Sequence, residues 1–174
     1  CTPSRYGLLT GRYCWRTTLK KGVSNSDDKP LIADDRATLA TLMKRNGYNT
    51  AMVGKWHLGM DFNADGSEIL NGPLQKGFDY FWGIPASMNY GYCAWYDMGK
   101  AKVAPSLWTH KKPNNLAIKD YRVMPPYDVK KAKKSTMKVA EDFEDIKVLE
   151  RFTEKAIAWI DQVHREDKPF FLYF

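Results

Sequence analysis

Tyr48-Asn49-Thr50-Ala51-Met52-Val53, closed by Gly54, is the stretch on which the fold turns. It reads as a short strand ended by a glycine. Immediately before it, Leu39, Leu42 and Met43 share one helical face between an N-cap at Asp34 or Asp35 and a stop at Gly47, so a helix is expected to run straight into the strand. Further upstream, Pro3 to Thr10 reads as a short helix. Pro3 needs no N–H in the first turn, and Gly11 is a natural terminator. Downstream, Val139, Phe143, Ile146, Leu149, Phe152, Ala156, Ile160 and Val163 recur every three or four residues, which predicts one long amphipathic helix over roughly 139–165. Lys168-Pro169 breaks that pattern. Phe170 to Phe174 has no polar alternation and is expected to be a strand covered on both faces, as in parallel sheets flanked by helices. Helix, strand, long helix, strand is the order of an α/β architecture. Turn signals dominate 60–77, and the aromatic-rich stretch 78–96 yields no element by pattern alone.

The composition fits this reading. The chain has 174 residues, 44% hydrophobic and 27% charged, enough for one domain with a sizeable core and far from a disordered composition. No apolar run approaches the ~18 residues of a membrane span. A net charge of +7 points to anionic partners: sulfated or phosphorylated substrates, nucleic acid or acidic glycans. Between Lys100 and Lys138, eleven Lys or Arg face only Asp120 and Asp128, so 100–138 reads as a basic loop or insertion, whether solvated or part of a binding surface. Cys1, Cys14 and Cys93 show no Cys-x-x-Cys spacing, which gives a zinc site little support. Cys14 and Cys93 are either a disulfide pair in an oxidising compartment or two buried thiols. The chain opens at Cys1 and closes within its most apolar run, so both ends read as cut.

Two short motifs carry chemistry. Cys1-Thr2-Pro3-Ser4-Arg5 puts a sulfur nucleophile at the mouth of a helix, where unpaired N–H groups and the helix dipole stabilise negative charge. Arg5 follows one turn later and can fork onto an oxyanion from the face of Cys1. A buried cysteine followed by a surface arginine would give the same residues. Gly54-Lys55-Trp56-His57-Leu58-Gly59 lies just past the strand, where ligands of open α/β sheets gather. Extended backbone would aim Lys55 and His57 to one side, an ammonium beside an imidazole able to bind an anion and move a proton. The alternative is a lysine and a histidine on a turn. His110 and His164 lack such a context, and His164 is expected to cap the long helix or face solvent.

Cys1-Thr2-Pro3-Ser4-Arg5, continued by Leu9-Thr10-Gly11-Arg12, resembles the signature of the formylglycine-dependent sulfatases, and Gly54 to Gly59 resembles the second signature of that family. Gly77-Phe78-Asp79-Tyr80-Phe81 and Pro169 to Phe174 are similar to it as well. The resemblance implies an alkaline-phosphatase-like α/β fold with helices flanking a mostly parallel sheet, of which 1–174 would be a partial catalytic domain. It implies that a maturation enzyme oxidises Cys1 to formylglycine. One hydroxyl of the hydrated aldehyde would attack sulfur, and the other would help eliminate sulfate. Arg5 would steady that hydrate, Lys55 would contact hydrate and sulfate, and His57 would assist proton removal. Substrates would be sulfated small molecules or glycans, and the compartment periplasmic, secreted or lysosomal.

The resemblance also implies a divalent cation, generally calcium. Cys1, as formylglycine, is the one ligand this sequence offers, and calcium wants six to eight oxygens. Asp27-Asp28 and Asp34-Asp35 read as turn and helix-cap residues, so the 174 residues alone are expected to be inactive. A phosphonate or phosphate diester hydrolase with the same nucleophile is the first alternative. A non-catalytic polyanion-binding module built on 100–138 is a remote one, and nucleic acid is not the expected partner.

Overall fold

The computed structural model describes residues 1–88, 90–110 and 136–174. Helix α1 spans Thr2–Thr10 and α2 spans Leu39–Arg45. Strands β1 (Asn49–Lys55), β2 (Asp61–Phe62), β3 (Ile69–Asn71), β4 (Tyr80–Ile84), β5 (Tyr92–Cys93), β6 (Tyr96–Asp97), β7 (Lys100–Ala101), β8 (Leu107–His110) and β9 (Thr136–Val139) follow. Helix α3 (Val148–Val163) and strand β10 (Phe170–Tyr173) complete the chain. The main sheet has the order β10-β1-β4-β6-β7. Strand β1 pairs in parallel with both β10 and β4, while β6 and β7 continue antiparallel. The result is a mixed sheet whose parallel part carries the expected α/β order.

Strand β1 has both faces covered, since Thr50 to Gly54 are all buried. Ala51 packs with Trp159 and Val163 of α3, and Met52 and Val53 enter the main core with Phe81 and Trp56. Each large apolar side chain so buried contributes about 1.5–3 kcal/mol. Asp79 anchors the start of β4 to β1, accepting hydrogen bonds from the Thr50 backbone N–H and hydroxyl. The Lys44 ammonium and these donors hold its carboxyl below the usual range against the opposing cost of burial.

Four expectations need correction. The long helix over 139–165 is shorter: Val139 ends β9, Asp145–Lys147 forms a 3₁₀ turn, and the α-helix begins only at Val148. Val139 and Phe143 are buried, but as a strand end and a turn residue, with Phe143 packed against Trp95. Ile146 and Leu149 are exposed, and the buried stripe is Ala156, Trp159 and Val163. Strand β10 is not covered on both faces. It pairs only with β1 among the described residues, leaving Phe170 exposed and the rest half-buried. The cap of α2 is Thr38, whose hydroxyl accepts from Thr41 N–H, while Asp34 forms an ion pair with the buried Lys76. Finally, β1 runs through Gly54 to Lys55, one residue past the expected stop.

Cys14 and Cys93 are buried thiols and are not joined in a disulfide. Of the basic stretch 100–138, only 100–110 and 136–138 are described; residues 111–135 lie outside the described residues. Among the described residues no helix is long and apolar enough to cross a membrane.

Candidate active site

Cys1 occupies the N-cap of α1, exposed, with its thiol capping nothing. Thr2 and Pro3 open the helix, and the Arg5 N–H closes the first turn on the Cys1 carbonyl at 3.1 Å. Thr2 is fully buried. Its hydroxyl donates to the His57 carbonyl at 2.8 Å and accepts from the Ser24 N–H at 3.1 Å. One turn on, Arg5 Nη1 donates to the Lys55 carbonyl at 2.6 Å and to the Tyr173 hydroxyl at 3.1 Å. Helix α1 is therefore fastened to the carboxyl ends of β1 and β10 by Thr2 and Arg5 of its first turn.

Beyond Lys55 the chain stays beside the end of β4 for two more residues. Trp56 N–H donates to the Ile84 carbonyl at 3.1 Å and His57 N–H to the Pro85 carbonyl at 2.8 Å. At His57 the backbone turns left-handed, φ 61°, so strand alternation does not relate Lys55 to His57 as expected. The turn does. Gly59 completes it at φ 74°, where an added Cβ would collide with the Lys29 carbonyl oxygen. The buried Trp56 locks the loop through Nε1 to the Gly59 carbonyl at 3.0 Å.

The electrostatics favour an anion. Lys55 is half-buried with Nζ 3.4 Å from Ser87 Oγ, and burial together with the Arg5 charge lowers its pKa. His57 is only 1% exposed, and among the described residues neither ring nitrogen has a hydrogen-bond partner. Burial first, then the Lys55 charge, lowers its pKa to about 4. Arg5 adds to this, while the Ser24 backbone, near but not hydrogen-bonded to the ring, opposes it. At neutral pH the site thus sets a neutral imidazole beside two cations near a helix N-terminus.

Calcium does not fit these residues. Among those described, no three His, Cys, Asp or Glu cluster as a metal site. The Asp28 carboxylate accepts from the Asn25 N–H at 2.6 Å and Asp34 is taken by Lys76. His164 caps the carboxyl end of α3 in solvent. Sequence reasoning missed Thr2, Tyr173, Ser24 and Ser87. Thr2 stood inside the first motif, but only the fold shows that its hydroxyl bridges to His57. Tyr173 read as one more apolar residue of a strand.

A mixed α/β sheet with flanking helices, and a helix mouth set against the carboxyl end of a parallel strand, give an α/β protein of the alkaline-phosphatase-like type. The chain belongs to the sulfatase family, whose model matches residues 1–174. It is 30% identical to arylsulfatase G of Mus musculus over 182 aligned residues, 99% of this chain and 31% of that protein. With N-acetylgalactosamine-6-O-sulfatase of Bacteroides thetaiotaomicron the identity is 38% over 104 residues, 56% of this chain and 20% of the relative. A solved Bacteroides thetaiotaomicron structure, described under the metabolism of multiple glycosaminoglycans, superposes with a TM-score of 0.71 at 25% identity, covering 99% of this chain and 40% of its own. The Pseudoalteromonas sp. sulfatase PsFucS1 shares the fold, with a TM-score of 0.58 at 22% identity over 99% of this chain and 33% of its own. The chain therefore spans about a third or less of the length of these two curated relatives.

Proposed function

We propose that the protein hydrolyses a sulfate ester of a glycan or aryl alcohol, using formylglycine made from Cys1 by a maturation enzyme acting in trans. The observation that carries this reading is the fastening of the two motifs, Thr2 to the His57 carbonyl and Arg5 to the Lys55 carbonyl. Formylglycine would supply a hydrated aldehyde as the oxygen nucleophile. Position 1 suits it, being exposed and uncommitted to capping. Arg5 and Lys55 would hold the sulfuryl oxygens and meet the charge that develops on them, as fixed cations do most effectively. The His57 ring, neutral at pH 7, would take up a proton at a nitrogen that has no other partner. Thr2 would fix the backbone from which that ring projects. The family's cation would need ligands other than those described here, so no step is assigned to it. Relatives named as a glycan sulfatase and arylsulfatases support a sulfated glycan or aryl sulfate as substrate.

The full-length protein, rather than the 174 residues alone, should release sulfate from 4-methylumbelliferyl sulfate or a sulfated disaccharide, and mass spectrometry of the Cys1 peptide should find an aldehyde in place of the thiol. Cys1→Ala should abolish turnover, and Arg5→Ala or Lys55→Ala should lower kcat by about 10²–10³-fold, the scale of a lost oxyanion contact. Faster turnover of phosphonate or phosphate diesters than of any sulfate ester would overturn the assignment.

A further inference from the structure

Just past the carboxyl end of α1, Tyr13 and Trp15 stack with ring centroids 5.6 Å apart and planes 14° from parallel. They are nonetheless 68% and 54% exposed. Two contiguous aromatic side chains left in water, where burial would favour the fold, mark a contact surface. The pair is held in place: the Arg16 guanidinium lies 5.2 Å from the Trp15 ring centroid, and Lys20 Nζ donates to the Trp15 carbonyl at 3.1 Å. Rings already ordered lose little entropy on taking a ligand.

A groove of about 170 Å³ runs from this pair along α1 as far as its first turn, lined by Pro3, Gly7, Tyr13, Trp15, Lys20 and Lys21. Pro3 is two residues from Cys1, and α1 with its nine residues is about 13 Å long. The segment 11–22 carries Arg12, Arg16, Lys20 and Lys21 and no acid. By contrast, the larger cleft beside α3 balances Asp97, Asp142 and Glu154 against Lys102, Arg151 and Lys155, and so selects no sign of charge. Flat apolar rings beside uncompensated cations suit a sulfated sugar, with a sugar face for the aromatics and sulfate groups for the ammonium heads.

We propose that this groove is a subsite for a sulfated oligosaccharide, which the Tyr13–Trp15 stack and Lys20–Lys21 hold while the ester to be cleaved lies at position 1. The proposal rests on the sulfate-ester reading above and deepens it by making the preferred substrate a polyanionic glycan.

The test uses the full-length protein with two double variants, Tyr13→Ala/Trp15→Ala and Lys20→Gln/Lys21→Gln, none of which belongs to the reacting centre. With a chondroitin sulfate hexasaccharide, KM should rise about tenfold in each, the scale of one lost aromatic contact. The kcat/KM for 4-methylumbelliferyl sulfate should stay unchanged. Binding is measured separately, by titrating the hexasaccharide into the Cys1→Ala protein. There the same substitutions should weaken binding, and the unsulfated hexasaccharide should bind at least tenfold less well than the sulfated one. Unchanged hexasaccharide KM and binding would overturn the subsite, as would equal losses on both substrates or an oligonucleotide of matched charge binding as tightly. A protein that hydrolyses no sulfate ester yet binds the hexasaccharide through these four residues would sink the hydrolase reading and leave the subsite standing.

Discussion

At His57 burial and two cations push in the same direction, keeping the ring neutral where a solvent-exposed imidazole would titrate near 6.5. The folded ring has a pKa of about 4, so between those values the unfolded chain takes up a proton that the folded chain does not. Stability from this residue is complete above pH about 6.5 and is lost as pH falls through that window, by at most about 3 kcal/mol. Denaturant midpoints recorded from pH 7 to 4 should show this slope, and His57→Gln should flatten it. Asp79, lowered from 3.8, titrates below that window and does not obscure the change. An anion held between Arg5 and Lys55 would offset their charges, so sulfate should raise the His57 titration midpoint seen by NMR; no movement at saturating sulfate would count against a shared anion site. Gly59 gives the sharpest steric prediction. Its φ of 74° and the Lys29 carbonyl oxygen facing its Cα leave an alanine methyl no room, so Gly59→Ala should cost about 3 kcal/mol or more in urea unfolding.

The site's elements owe their positions to contacts outside the chemical motifs. Thr38 caps α2, accepting from the Thr41 N–H at 3.1 Å while donating to the Lys76 carbonyl at 2.6 Å. Thr38→Ala should therefore cost about 1–2 kcal/mol of stability, since a cap and a buried acceptor are both lost, with kcat unchanged in the folded fraction. How legible each element was follows from the range of its determinants. Helix α1 could be read because Pro3 and Gly11 fix its ends locally, and β1 because its apolar run is bounded by glycines. The long helix misled because Val139 and Phe143 keep a helical spacing while their partners are remote in sequence: Leu107 of β8 and Cys93 of β5 beside Val139, and Trp95 against Phe143. The cap at Thr38 was passed over for Asp34 or Asp35, and a buried lysine 42 residues away engages Asp34 instead. In the site, Cys1, Arg5, Lys55 and His57 stood out as residue types, yet Thr2 and Tyr173 acquire meaning only when α1, β1 and β10 meet.

For the whole molecule, the decisive asymmetry is between the charges it supplies and those it lacks. Arg5, Lys55 and the mouth of α1 give a positive field, which in the proposed function would meet an ester of sulfate, and the proposed subsite at Tyr13 and Trp15 adds the cations Lys20 and Lys21. A hard dication needs the opposite, six to eight oxygens converging at one point. The described carboxylates are dispersed instead: Asp79 lies at the start of β4, Asp34 on Lys76, Asp28 on the Asn25 N–H, and Asp65 on Ser67. A site with calcium at a hundredfold its Kd would add about 2.7 kcal/mol to stability, enough to raise Tm by roughly 5–10 °C in a chain of this size. Because no convergent oxygen set exists among the described residues, millimolar calcium should move the Tm of the 174-residue chain by less than about 1 °C. A shift on the larger scale, abolished by a chelator and restored by calcium but not by magnesium, would mean that these 174 residues hold the ion themselves.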